Sequence, residues 1–429
     1  MFSSATNTSF KNTSFKVVLP FFTYAALSFL VATVLLVTSA EAFTGHYFHP
    51  QILAITHIMA LGWGTMIILG ASHQLVPVLI EAKLYSNQLA YISFIFAATG
   101  IPLLVYGFYI FDMGWPAQWG GCFVLLAILS FLVNLAVSMA KSKQESIHAM
   151  FVFTATIWLF LTALLGLAQI YNFTCTVLPE DSLHYLTLHA HAGIVGWFLL
   201  LIIGVASRLI PMFLISKYTN VKLLGWVYGL INSALLSFVA LFTFTSSETL
   251  FLVPVTTIFI ALSMFIYYCY SAYKHRIRKQ VDEPLKLSLL SFSMLLLPVL
   301  LLLIVIVFLS IGFGEKRHLL LSYGFLLFFG WITAIILGMT FKTLPFIVWN
   351  KAYHHRAGLG KTPNPKDLFS NGIFKSMAIA YLAGFISFAI GIIISNTILL
   401  NCGAILLLLT AILYNWNVLK LMFHKPLKV

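Results

Sequence analysis

Long apolar segments constrain this chain more than any other feature of its sequence. A helix needs about 20 mostly apolar residues to cross the hydrocarbon core of a bilayer. The alternation of a transmembrane β-barrel is absent, so the segments are expected to be helices. The sequence predicts an all-α integral membrane protein, surrounded by membrane lipid, with twelve transmembrane helices near 17–39, 51–79, 87–111, 117–140, 147–171, 183–214, 221–243, 250–273, 286–311, 318–348, 374–396 and 400–423.

The basic residues predict how these helices are oriented. When the N-terminus is placed in the cytoplasm and the sides alternate, all of the 24 Lys and Arg residues except Lys316 and Arg317 fall on the cytoplasmic side. This asymmetry predicts that both termini are cytoplasmic, in a bacterial inner membrane. It also accounts for the net charge of +13 without nucleic-acid binding, because the charge is spread over many loops.

An internal repeat organises the chain. The second, sixth and tenth segments share five identical columns spaced 134 residues apart. The shared residues are Gly62/Gly196/Gly330, Trp63/Trp197/Trp331, Gly70/Gly204/Gly338, Pro77/Pro211/Pro345 and Lys83/Lys217/Lys351. We interpret the chain as one membrane domain with three four-helix repeats, 1–140, 141–280 and 281–429, arranged about a pseudo-three-fold axis.

Histidines in the outer third of two of these segments are the candidate ligands. His57 and His191 share one repeat position, at which the third repeat has Phe325. His189 lies two residues before His191, and Tyr323 is its counterpart in the third repeat. A buried imidazole needs a partner, which is either a carbonyl on a neighbouring helix or a metal. Side chains two positions apart in a helix point in directions that differ by about 200°. His189 and His191 should therefore face different neighbouring helices.

A further repeat column lies near the inner side. It contains Gln74, Arg208 and Lys342. Either these side chains form an inner polar ring, or they anchor their helices at the membrane interface. All Asp and Glu residues lie near segment ends or in loops, which disfavours an ion-coupled transporter.

Two motifs carry a resemblance to a known family. The stretch HAHAGIVGW from His189 to Trp197 resembles the HxHxGxxGW helix of haem–copper oxygen reductase catalytic subunits, especially the cbb type, and of the related nitric oxide reductases. The second segment, H-x-M-x₂-G-x₇-G-x₆-P from His57, resembles the NnrS family. The resemblance implies twelve helices in three arcs, with haem, expected to be b-type, as the cofactor and with copper left open.

The resemblance also implies directions for the ligands. His189 would face the second segment, and His57 would face the sixth. These two residues could then be axial ligands of one haem, or one haem ligand and one copper ligand. His191 would face the tenth segment and form a second centre near Tyr323. Because the seventh and tenth segments lack a core histidine, the family's three-histidine copper site is not expected.

The sequence therefore favours a haem-binding redox membrane protein, with nitric oxide handling or electron transfer as its role. An oxidoreductase activity is left open, and no catalytic residue is assigned. Expected partners are other respiratory-chain subunits or a cytochrome. The alternative is a non-enzymatic factor that handles haem or copper or assembles an oxidase.

Overall fold

Long helices account for nearly all of the computed structural model, which describes residues 13–142, 146–245, 247–277, 279–312, 317–354 and 362–425. Within these residues, twelve helices are long and apolar enough to span a membrane. They are α1 (Phe15–Thr38), α2 (Pro50–Leu79), α3 (Asn87–Tyr109), α4 (Trp115–Ala140), α5 (Ile147–Asn172), α6 (Leu186–Leu214), α7 (Val221–Phe244), α8 (Glu248–Lys274), α9 (Glu283–Ser310), α10 (Arg317–Tyr353), α11 (Asn371–Ile393) and α12 (Thr397–Met422). The predicted all-α integral membrane fold is confirmed. Lys316, one of the two predicted outer basic residues, lies outside the described residues.

Side-chain caps and a lipid-facing surface define the ends and flanks of these helices. Hydroxyl, amide and carboxylate side chains accept a hydrogen bond from the first turn of seven helices, which satisfies backbone donors that the helix leaves free. The capping residues are Ser14, Ser86, Ser146, Asn220, Asp282, Ser370 and Asn396. Large apolar side chains such as Leu236 and Ile379 are 63% and 70% exposed, so these helix faces contact lipid.

The three helices that carry the repeated columns lie at the centre of the bundle. In the most apolar stretches of α2, α6 and α10, 78%, 72% and 67% of the residues are buried, against 50% or less in every other span. The outer helices surround them. The last helix returns to the first, because the side-chain amide of Asn415 in α12 donates a hydrogen bond to the Ala26 carbonyl of α1 at 2.9 Å.

Glycines let each central helix approach the helix that directly precedes it in the chain. A Cβ at Gly70 would lie 2.7 Å from the Cβ of Phe21 in α1. A Cβ at Gly204 would likewise overlap Phe151 of α5, and a Cβ at Gly338 would overlap Ser288 of α9. A larger side chain at these positions would push the helices apart.

A π-helical stretch interrupts each central helix at the same repeat position. It covers Ile58–Thr65 in α2, Ala192–Leu199 in α6 and Leu326–Ile332 in α10. Such stretches are rare in proteins, and those that occur are often found at functional sites. Here each begins directly after the position that holds His57, His191 or Phe325.

Three buried tryptophans within these stretches lie at mid-bundle. The Trp63 indole N–H donates to Thr333 Oγ1 at 3.2 Å and joins α2 to α10. The Trp197 indole donates to Thr65 Oγ1 at 3.0 Å and joins α6 to α2. Trp331 Nε1 has no hydrogen-bond partner among the described residues. The two acceptors, Thr65 and Thr333, belong to one repeat column, and the third residue of that column is Leu199, which has no hydroxyl group.

Candidate cofactor site between the second and sixth helices

His57 and His189 face each other across the gap between α2 and α6. Their ring centroids are 6.3 Å apart, and the ring planes are inclined by 22°. A metal ion bound by two imidazoles needs two bonds of about 2 Å, so the distance between these rings is of the right order for a shared ion. The expected shared gap is thus the one in which the structure places both residues.

Backbone carbonyls hold both imidazoles in one tautomer. His57 Nδ1 lies 2.8 Å from the Leu53 carbonyl one turn earlier in α2. His189 Nδ1 lies 3.0 Å from the Thr162 carbonyl of the neighbouring α5. Since a carbonyl can only accept, the proton is on Nδ1, and Nε2 of each neutral ring keeps its lone pair. This arrangement is the usual support for a histidine that binds a metal through Nε2.

Both rings line a cavity of about 200 Å³. Along α2 it extends from Leu53 to Thr65, and along α6 from Leu186 to Phe198. Each of these stretches is roughly 18 Å long at 1.5 Å per residue. Small residues leave the space between the helices open; they are Ala60, Gly121, Ala163, Gly166, Ala190 and Gly193. The two imidazoles at this cavity are donors of the kind that metal centres use.

Gly166 of α5 is a part of the site that sequence reasoning missed. A Cβ at this position would lie 2.6 Å from Cε1 of His189, so the absence of a side chain makes room for the imidazole. Neither Gly166 nor the Thr162 carbonyl belongs to a repeated motif. A backbone carbonyl leaves no residue-type signal, and only the contact with α5 identifies these two positions.

The second predicted pair is joined by a hydrogen bond. His191 Nδ1 is 2.9 Å from the Thr187 carbonyl of its own helix. Its Nε2 lies 3.3 Å from the Tyr323 hydroxyl of α10, which is therefore placed to donate to it. The two rings are 5.9 Å apart. The expected direction of His191 agrees with the structure, whereas its role as a ligand remains a prediction.

The other histidines lie apart from this site. His73 is 1% exposed and packs between Phe21 and Phe131, with ring centroids 5.2 and 5.3 Å away. Neither of its ring nitrogens has a hydrogen-bond partner among the described residues. Within the same part of the chain, no group of three His, Cys, Asp or Glu residues is placed to hold a metal ion.

The fold matches that of a solved membrane-protein structure named as a terminal oxidase. No protein-family model and no curated relative matches the sequence. A chain of a haem–copper terminal oxidase dimer, solved by cryo-EM, matches the structure with a TM-score of 0.57 and 10% sequence identity. The match covers 97% of this chain and 86% of that one. At this identity the likeness shows a shared fold, and the function must be argued from the site.

Proposed function

We propose that this chain is a haem-binding redox protein of the membrane, in which His57 and His189 would both hold one haem. The observation that carries the proposal is the pair of histidines that line one cavity, each with its Nδ1 bonded to a backbone carbonyl, so that the lone pair of each Nε2 is left for a metal. The oxidase-like fold supports the choice of haem. An arrangement with one haem ligand and one copper ligand remains the variant within this proposal.

The residues around the cavity would position the cofactor and keep water away. The Leu53 and Thr162 carbonyls increase the basicity of the two imidazoles and prevent the rings from rotating. Apolar side chains such as Leu104, Phe108 and Ile194 form much of the wall and lower the local polarity. A bound haem would supply a one-electron redox couple. We propose electron transfer or nitric oxide handling as the use of that couple.

The wider setting belongs to the same proposal. Three four-helix units about a pseudo-three-fold axis are supported by the aligned π-helical stretches and by the two related Trp–Thr hydrogen bonds. We further propose a bacterial inner membrane with both termini cytoplasmic and with a cytochrome or other respiratory-chain subunits as partners. A second centre at His191 would require the Tyr323 hydroxyl to leave Nε2.

Spectroscopy of single-histidine variants tests the shared site. We expect the purified protein to show a haem spectrum on reduction, and His57→Ala and His189→Ala each to remove the same absorption bands. His73→Ala is the matched control, because His73 is a buried histidine of α2 outside the cavity. Protein without haem would overturn the proposal, and loss of different bands in the two variants would show that the residues serve separate centres.

A haem or copper handling factor is the second candidate. It is favoured by the cavity reaching Phe48, Phe173 and Ser182 at the outer ends of the helices, which offers a path for a cofactor to leave. Haem transfer to an apo-globin added in solution separates the two functions. A handling factor should release its haem within minutes, whereas an electron-transfer protein should retain it through repeated reduction and oxidation.

A further inference from the structure

A second, larger cavity lies among the inner halves of the three central helices. Its volume is about 610 Å³, and α2, α6 and α10 supply nearly all of its wall. Known ligand pockets have volumes of about 300–1,000 Å³. The cavity is lined by residues on the inner side of the three tryptophans, so it is separate from the one that contains His57 and His189.

Most of the wall of this inner cavity is hydrocarbon. Ile67, Leu201 and Ile335 lie at the end of the cavity near mid-bundle, and Phe213 and Phe346 lie nearer the ends of the helices. Water in such a space would find few hydrogen-bond partners. An occupant with an apolar body would be more stable there than solvent.

The polar groups of the cavity leave one uncompensated positive charge. Gln74, Arg208 and Lys342 all line it, so the predicted inner polar column converges on one space. The Lys342 ammonium is 2.6 Å from a carboxylate oxygen of Asp282, which balances its charge. The Arg208 guanidinium has no hydrogen-bond or ion-pair partner among the described residues, and its side chain is exposed to the cavity.

We propose that this cavity binds an amphiphile that has a long hydrocarbon chain and an anionic head, either a carboxylate or a phosphate. The planar guanidinium of Arg208 can bind both oxygens of such a head group. The hydrocarbon chain would fill the apolar space between α2, α6 and α10. A small inorganic anion would leave this space empty, and a neutral lipid would leave Arg208 without a partner.

The test uses full-length protein in nanodiscs of zwitterionic lipid, with fluorescent cis-parinaric acid as the probe and the corresponding alcohol as its neutral match. We expect saturable binding of the acid and binding at least about tenfold weaker in Arg208→Gln, because the variant loses the charged, two-pronged hydrogen bonding of the guanidinium. The alcohol should bind weakly and equally to both proteins. Lys217→Gln, which removes a basic charge outside the cavity, should bind the acid normally.

A second variant of the cavity wall and two competing ligands complete the test. Val205→Phe places bulk in the cavity wall and should reduce acid binding even if Arg208→Gln folds poorly. Displacement by oleate indicates a carboxylate ligand, and displacement by a lysophosphatidate indicates a phosphate head group. Equal binding of acid and alcohol, equal effects of Arg208→Gln and Lys217→Gln, or failure of both competitors would overturn the proposal and leave Arg208 as an interface anchor.

Discussion

Two gaps between the central helices differ although their backbones are alike. Between α2 and α6, the repeat positions hold His57 and His189, and the space beside them is open. Between α10 and α2, the matching positions hold Phe325 and Ile55. Phe325 is 3% exposed and stacks on Phe388, Phe329 and Phe385, with centroids 4.6, 5.0 and 5.8 Å away.

The three central helices share their repeated columns and their π-helical stretches, whereas a few side chains determine which gap is open. Both gaps adjoin a π-helical stretch, so the backbone irregularity alone does not create a site. The gap between α6 and α10 is intermediate, because His191 is present but its Nε2 is engaged by Tyr323. The gap proposed to hold a cofactor is the one that combines two histidines with missing side-chain volume.

Filling the open gap should have the largest effect. Gly166→Val would place side-chain atoms against His189, move the imidazole and remove the haem spectrum as completely as His189→Ala does. The clash should also lower the free energy of unfolding by about 1–3 kcal/mol. Gly229→Val is the control, since a Cβ at Gly229 would meet nothing within 4 Å. Normal haem content in Gly166→Val would show that the ring position does not matter.

Placing a histidine in the filled gap should destabilise the protein without creating a site. Phe325→His would leave an imidazole among phenylalanine rings, at a cost of about 1–3 kcal/mol for an unsatisfied polar group. Phe325→Leu gives the cost of the lost ring alone. Thermal unfolding in detergent and the haem-to-protein ratio measure both effects. A higher haem content in Phe325→His would disprove the comparison.

The intermediate gap should respond more weakly. Tyr323→Phe removes the hydroxyl beside His191 Nε2 and leaves a half-buried acceptor without its donor, which should cost about 1 kcal/mol. The bands that depend on His57 and His189 should not change. If these bands shift or disappear, the His191–Tyr323 pair influences the site at His57 and His189.

The smallest expected difference lies between two tryptophans. Trp63→Phe loses the hydrogen bond to Thr333, whereas the Trp331 indole N–H has no partner to lose among the described residues. Both replacements remove similar ring volume. Trp63→Phe should therefore be less stable than Trp331→Phe by about 1 kcal/mol in thermal unfolding experiments. Equal stabilities would mean that the hydrogen bond contributes nothing measurable.

Hydropathy and the repeat predicted the features that depend on residue type. The twelve spans follow from apolar length, and the ends of α2 and α6 lie within three residues of the segments predicted at 51–79 and 183–214. Helical angle, together with the family resemblance, directed His189 towards α2 and His191 towards α10. Both directions agree with the ring contacts.

Features that depend on backbone path or on distant helices were not predictable in this way. The π-helical stretches arise from local backbone geometry that apolar periodicity does not report. Gly166 and the Thr162 carbonyl reach His189 only because α5 packs beside α6. The Tyr323 hydroxyl was expected near His191, but its bond to Nε2 depends on the distance between the helices.

The layer formed by Trp63, Trp197 and Trp331 has a consequence for access to the two cavities. Their side chains are at most 1% exposed, and they lie along the helices between the outer and the inner cavity. A molecule could pass from one cavity to the other only by displacing an indole, so the two cavities should fill and empty independently of each other.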